Sequence, residues 1–303
     1  MISILLAASL IFTAEDADVA WETARTLVDE CTPRDAGTVR GKIAAYKVLD
    51  MVSATGADAE LDVFDAQTPR GKKRFHNVYS FLKFDPTNDE YVVIISHFDT
   101  KSGVACPGAN DGGSTTGLLT GLANAVMRDR SIDGNLMLVW TDGEECMDYY
   151  GQNDGFWGSK RAVQEIKRRG IKVKAAICVD MLGDKDLKIT IPKNSSRALA
   201  KIACYAAKKA GDEKLVSTID DLVKDDHVAF LEAGIKSICL IDFEYGGAPG
   251  SGYWHTPEDT MDKLSKQSLL RSGRLLTGML DVLFTKRSQS SSNGEQNKQN
   301  KNN

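Results

Sequence analysis

Two adjacent glutamates, Glu144 and Glu145, are the most informative residues in the sequence for predicting its chemistry. Residues 136–140 are all apolar, which predicts a buried strand, and the sequence continues Asp142-Gly143-Glu144-Glu145. Successive side chains on an extended backbone point to opposite sides, so one carboxylate can bind a cation while its neighbour transfers protons. An acidic pair alone is more often a solvated turn, and other residues must support this interpretation.

Similar polar residues follow other apolar segments. Residues 91–96, 175–179 and 238–243 each predict a strand, and a glycine-rich loop lies at 108–114. Each segment ends in, or is followed by, an acid or a histidine. These residues are His97, Asp99, Asp111, Asp180 and His255.

Histidine nitrogen together with carboxylate oxygen favours zinc or another first-row divalent metal over calcium or magnesium. Any one of these residues alone is more often a hydrogen-bonded strand end or a turn former. Their recurrence at successive strand ends predicts a common site, because α/β folds bind ligands at the carboxyl edge of the sheet.

In these motifs the chain resembles the M28 family of zinc-dependent peptidases and the related glutaminyl-peptide cyclotransferases. The resemblance runs from about residue 77 to 264 and includes His-Phe-Asp-Thr, Gly-Ala-Asn-Asp, Asp-Gly-Glu-Glu, Asp-Asp-His at 225–227 and Trp-His-Thr at 254–256. It implies Zn²⁺ bound by Asp111, Glu145 and His255, with Glu144 as the general acid/base. It also implies a possible second metal at His97 and Asp180, and places Asp180 and Asp225 beside Glu144 as further catalytic acids.

Finer features resemble the cyclotransferase branch. Residues 146–157 form an insertion before Gly158-Ser159 that implies a wall of the substrate pocket, with Tyr150 at an aromatic position and Trp254 opposite. We also expect Asp99 at this pocket, where its carboxylate orients His97. Cys239 stands where that branch has a histidine, and Thr-Met-Asp-Lys-Leu-Ser at 260–265 is a phrase shared with bacterial M28 peptidases.

The pattern of elements predicts the fold. Helical patterns at 38–53, 114–127, 160–169, 196–210 and 267–284 alternate with strand patterns. This alternation favours an α/β protein, a single-domain three-layer α/β/α sandwich with a mixed, mostly parallel central sheet. Strands at 61–64 and 78–84 adjoin in sequence, which predicts antiparallel pairing at one edge.

Composition and termini limit the remaining possibilities. The net charge of −4 gives no basis for nucleic-acid binding, and we expect the basic cluster 70–74 to be solvated in a hairpin turn. Residues 1–16 resemble a signal peptide too short to span a bilayer, which favours secretion or periplasmic export, with a helix start packed on the core as the alternative. Without cleavage the protein would be cytoplasmic. Residues 17–287 then form the catalytic domain, and the polar residues 288–303 predict a disordered tail.

Three functions are consistent with these features of the sequence. The first is cyclisation of an N-terminal glutamine to pyroglutamate with release of ammonia, which one metal supports. The second is an M28 aminopeptidase with two metals and a bridging water. The third is a peptidase-like binding module that has lost its chemistry, although no ligand is missing. Both enzymes would act on peptide or protein N-termini, without stable membrane insertion.

Overall fold

A computed structural model describes residues 10–130, 132–151, 153–248 and 251–285. These residues form one eight-stranded sheet in the order β1-β2-β4-β3-β5-β8-β6-β7. The four central strands are mutually parallel, whereas β2 joins β4, β1 joins β2, and β6 joins β8 in antiparallel pairs. The strands are β1 Glu60–Thr68, β2 Gly71–Lys83, β3 Glu90–His97, β4 Asn135–Thr141, β5 Lys172–Asp180, β6 Ile189–Pro192, β7 Val216–Ile219 and β8 Ser237–Ile241.

Helices cover both faces of the sheet. The larger core lies under α1, α2, α3, α5 and α7, and a smaller core lies under α4 and α6 on the opposite face. Strands buried on both faces read as continuous apolar segments, as the sequence of β3 and β4 does. The helices are α1 Ala14–Cys31, α2 Val39–Ala54, α3 Thr115–Asp129, α4 Trp157–Arg169, α5 Arg197–Lys209, α6 His227–Glu232 and α7 Lys266–Phe284.

The predicted three-layer architecture and its mixed sheet are confirmed. The antiparallel hairpin of β1 and β2 lies at one edge of the sheet. Its basic cluster is exposed, and Arg74 and Lys72 form ion pairs with the carboxylate of Asp65. Five helices were predicted within two or three residues of their ends. Helices α1 and α6 and the two four-residue strands β6 and β7 were not predicted.

The N-terminal segment contributes to the core from Leu10 onward. Leu10 and Phe12 are buried, and the ring of Phe12 packs between Gly121 and Gly273, whose missing side chains leave room for it. Thr13 and Asp16 then cap α1 reciprocally. Residues 1–9, which carry most of the apolar stretch of the predicted signal peptide, and 288–303, the predicted tail, lie outside the described residues. Signal cleavage stays a prediction.

No helix in the described ranges is long and apolar enough to cross a membrane.

Candidate metal and catalytic site

The carboxyl ends of the parallel strands bring the predicted residues together. His97 is the last residue of β3, Asp180 the last of β5, and Glu144 follows β4 by three residues. Each of these residues is at least nine-tenths buried. The sheet therefore gathers, at one edge, the donors that the sequence places far apart.

Asp111 comes from the glycine-rich loop between β3 and α3. This loop passes close to His97: a Cβ on Gly112 would lie 3.1 Å from the Nδ1 atom of His97, and Gly112 has a φ of +80°. Both the space and the backbone angle require glycine there. The loop thus brings the carboxylate of Asp111 against the imidazole of His97.

Asp111, Glu145 and His255 form the first group of donors. The Nε2 atom of His255 lies 2.6 Å from a carboxylate oxygen of Glu145 and 3.3 Å from Oδ2 of Asp111. One ligand atom from each of the three lies within 4.8 Å of the others. His255 has a φ of +58°, a conformation costly for a non-glycine residue that often marks a functional position.

Asp111 is shared with a second group of donors. Its other oxygen, Oδ1, lies 3.2 Å from Nε2 of His97, which is also 3.2 Å from Oδ1 of Asp180. Met181, directly after Asp180, is another residue with positive φ, at 54°. The carboxylate of Asp111 therefore lies between two histidines, in a position from which it can contribute to two metal positions.

The charges of these residues depend on one another. Burial alone would raise the pKa of Asp111, but its hydrogen bond with His97 and the charge of His255 lower this pKa to about 2. Burial opposes protonation of His97, and its hydrogen bonds with Asp111 and Asp180 nevertheless raise its pKa well above the usual value. A divalent cation at these groups would displace such protons, because histidine binds metals in its neutral form.

Glu144 lines the same cavity, next to Glu145 of the first group of donors. Burial and then the charge of Glu145 raise the pKa of Glu144 well above its ordinary value. The hydroxyl of Tyr150 donates to Oε2 of Glu144 at 3.2 Å and is 3.0 Å from Oε2 of Glu145. A carboxyl group with a raised pKa next to a metal site can accept and return a proton near neutral pH.

Asp99 does not line the cavity, contrary to the prediction. It is fully buried, and its two carboxylate oxygens accept hydrogen bonds from the backbone N–H groups of Glu144 and Glu145, at 3.2 and 3.1 Å. One of its oxygens is 3.6 Å from Nδ1 of His97. Asp99 thus holds the two glutamates and the histidine in position from behind the cavity.

Two further supporting residues were not predicted. The fully buried guanidinium of Arg34 donates to the backbone carbonyls of Phe98, Pro107 and Gly108, which joins the β3 end to the Asp111 loop. Asp259 accepts from the backbone N–H of Asp111 at 3.1 Å. The only signal in the sequence for Asp259 is its place four residues after His255.

The insertion forms one wall of the cavity. The carboxylate of Asp154 accepts from the backbone N–H groups of Met147, Asp148 and Tyr149, at 2.6 to 2.9 Å, and folds the loop back on itself. Gly155, with a φ of +82°, lies so close to Tyr150 that a Cβ would be 2.8 Å from the ring. Tyr150 therefore stands at a fixed place over the glutamates.

Trp254 stands opposite Tyr150. Its ring meets His255 edge-on, with centroids 4.4 Å apart, and lies 5.9 Å from the ring of Phe243. Asp225 also lines the cavity and accepts hydrogen bonds from the thiols of Cys178 and Cys239. The enclosed volume is about 210 Å³.

An α/β fold that gathers carboxylate and histidine donors at the carboxyl edge of its sheet is typical of the class of metal-dependent enzymes. The family model "Peptidase family M28" matches residues 77–280, which is more than half of the chain, and the protein belongs to that family.

Particular relatives narrow the comparison. The chain is 24% identical over 256 residues to a glutaminyl-peptide cyclotransferase from Drosophila melanogaster, covering 75% of this chain and 70% of that protein. It is 27% identical over 195 residues to a probable leucine aminopeptidase from Arthroderma otae, covering 63% and 53%. A solved glutaminyl cyclase from an Acidobacteriales bacterium superposes with a TM-score of 0.84 and 29% identity, over 94% of this chain and 99% of that one.

Proposed function

We propose that this protein is a zinc-dependent glutaminyl-peptide cyclotransferase, which converts the N-terminal glutamine of a peptide to pyroglutamate and releases ammonia. The similarity to glutaminyl cyclases supports this assignment. The observation that carries it is the small cavity, with metal donors and Glu144 on its floor and Tyr150 and Trp254 as its walls.

The size of the cavity selects the substrate. Sites for drug-sized ligands usually enclose roughly 300–1,000 Å³, whereas this cavity encloses about 210 Å³. That volume suits one glutamine side chain with its α-amine, with the rest of the peptide outside. Aromatic and aliphatic walls around it, including Phe243 and Ile241, disfavour a competing water molecule.

The donors fit zinc. Asp111, Glu145 and His255 supply two carboxylates and one imidazole, the donor types of catalytic zinc sites with an open fourth position. The second oxygen of Glu145 accepts from Tyr150 and lies 3.5 Å from the ammonium of Lys101. Such outer hydrogen bonds fix the orientation of a metal-binding carboxylate.

The residues of the chain then perform the proton transfers. Zinc, when bound, is a Lewis acid that polarises the γ-carbonyl of the substrate. Glu144 takes a proton from the α-amine as its nitrogen attacks the γ-carbon, and returns a proton to the departing ammonia. Tyr150 holds Glu144 by its hydroxyl, and Asp180 and Asp225 line the cavity where acids can bind the substrate amine.

An aminopeptidase is the second candidate, and one observation favours it. Asp111 contacts both His97 and His255, so His97, Asp111 and Asp180 could hold a second metal. Two metals sharing Asp111 would allow Glu144 to deprotonate a bridging water for attack on the first peptide bond. Tyr150 opposes this, because its ring lines the cavity and its hydroxyl lies against Glu144.

The product separates the two activities. Purified protein loaded with zinc is given glutaminyl peptides and, separately, leucyl and alanyl peptides, and both ammonia and free amino acid are measured. We expect ammonia and pyroglutamyl peptide from the first set and no free amino acid from the second. Release of N-terminal leucine without ammonia from glutaminyl peptides would assign the aminopeptidase activity, and metal per chain would be measured on the same sample.

Two matched variants test the roles of the adjacent glutamates. Glu144→Gln keeps the shape but cannot transfer a proton, so turnover should fall by roughly 10²-fold or more while metal content is retained. Glu145→Gln should lose metal. The opposite pattern would exchange the two roles.

Export is a separate proposal, based on the apolar stretch at residues 2–12. Because Leu10 and Phe12 are buried in the core, we infer that any cleavage occurs before Leu10 rather than near residue 16. The mass of the mature N-terminus tests this inference.

A further inference from the structure

A third group of metal-binding side chains borders the catalytic cavity and is distinct from the two groups of donors described above. Cys178 on β5 and Cys239 on β8 are directly opposite each other in the parallel register, so both thiols leave the sheet on the same side. Asp225, from the loop before α6, covers them. All three residues are at least 97% buried.

The three side chains converge on one point. The Sγ atom of Cys178 is 3.1 Å from Oδ1 of Asp225, and that of Cys239 is 3.1 Å from Oδ2. One ligand atom from each residue lies within 4.8 Å of the other two. An ion between them would need the sulfur–oxygen distances to open by only a few tenths of an ångström, given metal–sulfur and metal–oxygen bonds of about 2.3 and 2.1 Å.

The electrostatic surroundings favour a cation. Within the described parts of the chain, no lysine, arginine or histidine lies at ion-pair distance from Asp225. Its neighbours in the cavity wall are the carboxyl groups of Glu144 and Asp180. Burial and then the charge of Asp225 raise the pKa of Asp226 to about 7. A buried carboxylate among other acids is costly unless a cation or strong donors compensate it. Asp225 has one strong donor, the backbone N–H of Asp226 at Oδ1, and its other donors are the two thiols, which are weak.

We propose that Cys178, Asp225 and Cys239 form a metal site of their own, separate from both groups of donors in the catalytic cavity, which takes a thiophilic divalent ion such as Zn²⁺ or Cd²⁺. Two sulfurs and one carboxylate select such ions against Mg²⁺ and Ca²⁺. Binding deprotonates both thiols: one M²⁺ and two R–SH groups give M(S–R)₂ and two protons. The two protons leave to the solvent. A water molecule or the other oxygen of Asp225 completes the coordination, and Asp225 gives the ion access because it lines the catalytic cavity.

Cobalt distinguishes the two sites without an activity assay. The catalytic donors are oxygen and nitrogen only, so Co²⁺ bound there gives no thiolate-to-cobalt charge-transfer band. Metal-free protein would be titrated with Co²⁺ up to three equivalents and followed in the near ultraviolet. We expect a thiolate-to-cobalt band whose final intensity corresponds to one thiolate-bound cobalt per chain and which added Cd²⁺ abolishes.

Variants locate the band. Cys178→Ser and Cys239→Ser should each weaken the band at least 10-fold, and the double variant should abolish it. Cys146→Ser is the matched control, because this thiol lies next to Glu145 and 2.8 Å from the ammonium of Lys101 but outside the proposed site; its band should be unchanged. The proposal is overturned if folded wild-type protein binds cobalt without the band, or if the band survives in the double variant. Thiols that serve only as hydrogen-bond donors to Asp225 would give the first of these results.

Discussion

The phenolic hydroxyl of Tyr150 donates a hydrogen bond to the carboxylate of Glu144 across 3.2 Å. The ring that carries it is stacked on Phe156, with centroids 4.8 Å apart and planes 19° from parallel, and the ammonium of Lys101 lies 5.3 Å above it. The hydroxyl is therefore held over the glutamates by contacts that do not involve them.

Tyr150→Phe should lower turnover by about 10-fold, because Glu144 loses the hydroxyl that orients it. The unfolding free energy should fall by no more than the roughly 0.5–1.5 kcal/mol of one hydrogen bond, because the ring contacts remain. Steady-state kinetics on a glutaminyl peptide and a thermal melt measure the two effects. Tyr149→Phe, on the same loop but 86% exposed, is the control and should match the wild type. Equal activity of the Tyr150 variant would show that the hydroxyl does not orient Glu144.

Asp99→Asn tests the support beneath the site. The amide keeps one acceptor oxygen but places an NH₂ group against a backbone N–H of Glu144 or Glu145. Residues that orient metal ligands typically contribute a factor of about 10–100 in metal affinity. We expect a loss in that range, measured by competition with a chelator at constant pH.

Asp35→Asn is the control for Asp99. Asp35 also accepts a loop N–H, that of Gly103, but contacts neither glutamate. Its metal affinity should stay within a factor of about two of the wild type, whereas equal losses in the two variants would indicate a general loosening of the loops.

The ligands could be predicted from the sequence because they follow directly from strand ends. His97 and Asp180 close apolar segments whose neighbours in a parallel sheet meet at one edge, so their proximity follows from the topology. Arg34 and Asp259 act through backbone groups of distant loops, and no local pattern encodes such a contact. Asp99 was assigned to the cavity because strand alternation gives the side of the chain but not the depth of the side chain.

Helix α1 escaped prediction for a different reason. Among its buried residues only Leu27 has a large aliphatic side chain, so few large apolar residues mark the buried face in the sequence. The other buried residues are Asp16, Ala17, Ala20, Thr23, Ala24 and Cys31. Strands β6 and β7 have four residues each, too few to show an alternation.

Asp16 makes stability depend on pH. Burial opposes its charge, but hydrogen bonds from Arg128, Thr13 and Asn124 lower its pKa below the ordinary value. A folded-state pKa below the unfolded one contributes stability that is present above the unfolded value and is lost as the pH falls through the folded value. Asp16→Asn should therefore lower the unfolding free energy by about 2 kcal/mol at pH 7.

The difference between the Asp16 variant and the wild type should shrink as the pH falls below about 4, the ordinary range of an aspartate. Urea unfolding at several pH values measures it. Asp18→Asn, on the exposed side of the same helix with Lys266 as its partner, is the control and should differ little from the wild type at any pH. A destabilisation by Asp16→Asn that is independent of pH would assign the effect to packing.

Arg34 gives the last prediction, since it joins the loops that carry His97 and Asp111. Its Nη1 and Nη2 atoms donate to the carbonyls of Pro107 and Gly108 at 2.6 Å each, and its Nε donates to the carbonyl of Phe98. Burial lowers the pKa of the guanidinium, and the nearby charge of Asp259 opposes that shift. An isosteric apolar residue would remove three hydrogen bonds from a charged donor, each worth about 1.5–3 kcal/mol. The carbonyls of Pro107 and Gly108 would keep one other donor each, the hydroxyl of Thr32 and the N–H of Gly113.

Arg34→Met should therefore lower the unfolding free energy by about 3 kcal/mol or more, and Arg34→Lys should restore part of it, because an ammonium can reach only some of the three carbonyls. Urea unfolding of the metal-free protein measures stability, and chelator competition measures metal affinity on the same variants. If Arg34 positions the ligands, metal affinity falls more in Arg34→Met than in a core variant of equal instability such as Leu136→Ala. Leu136 is fully buried at the amino end of β4, at the opposite end of the strand from the site. Equal metal affinity in these two variants would restrict Arg34 to a purely structural role.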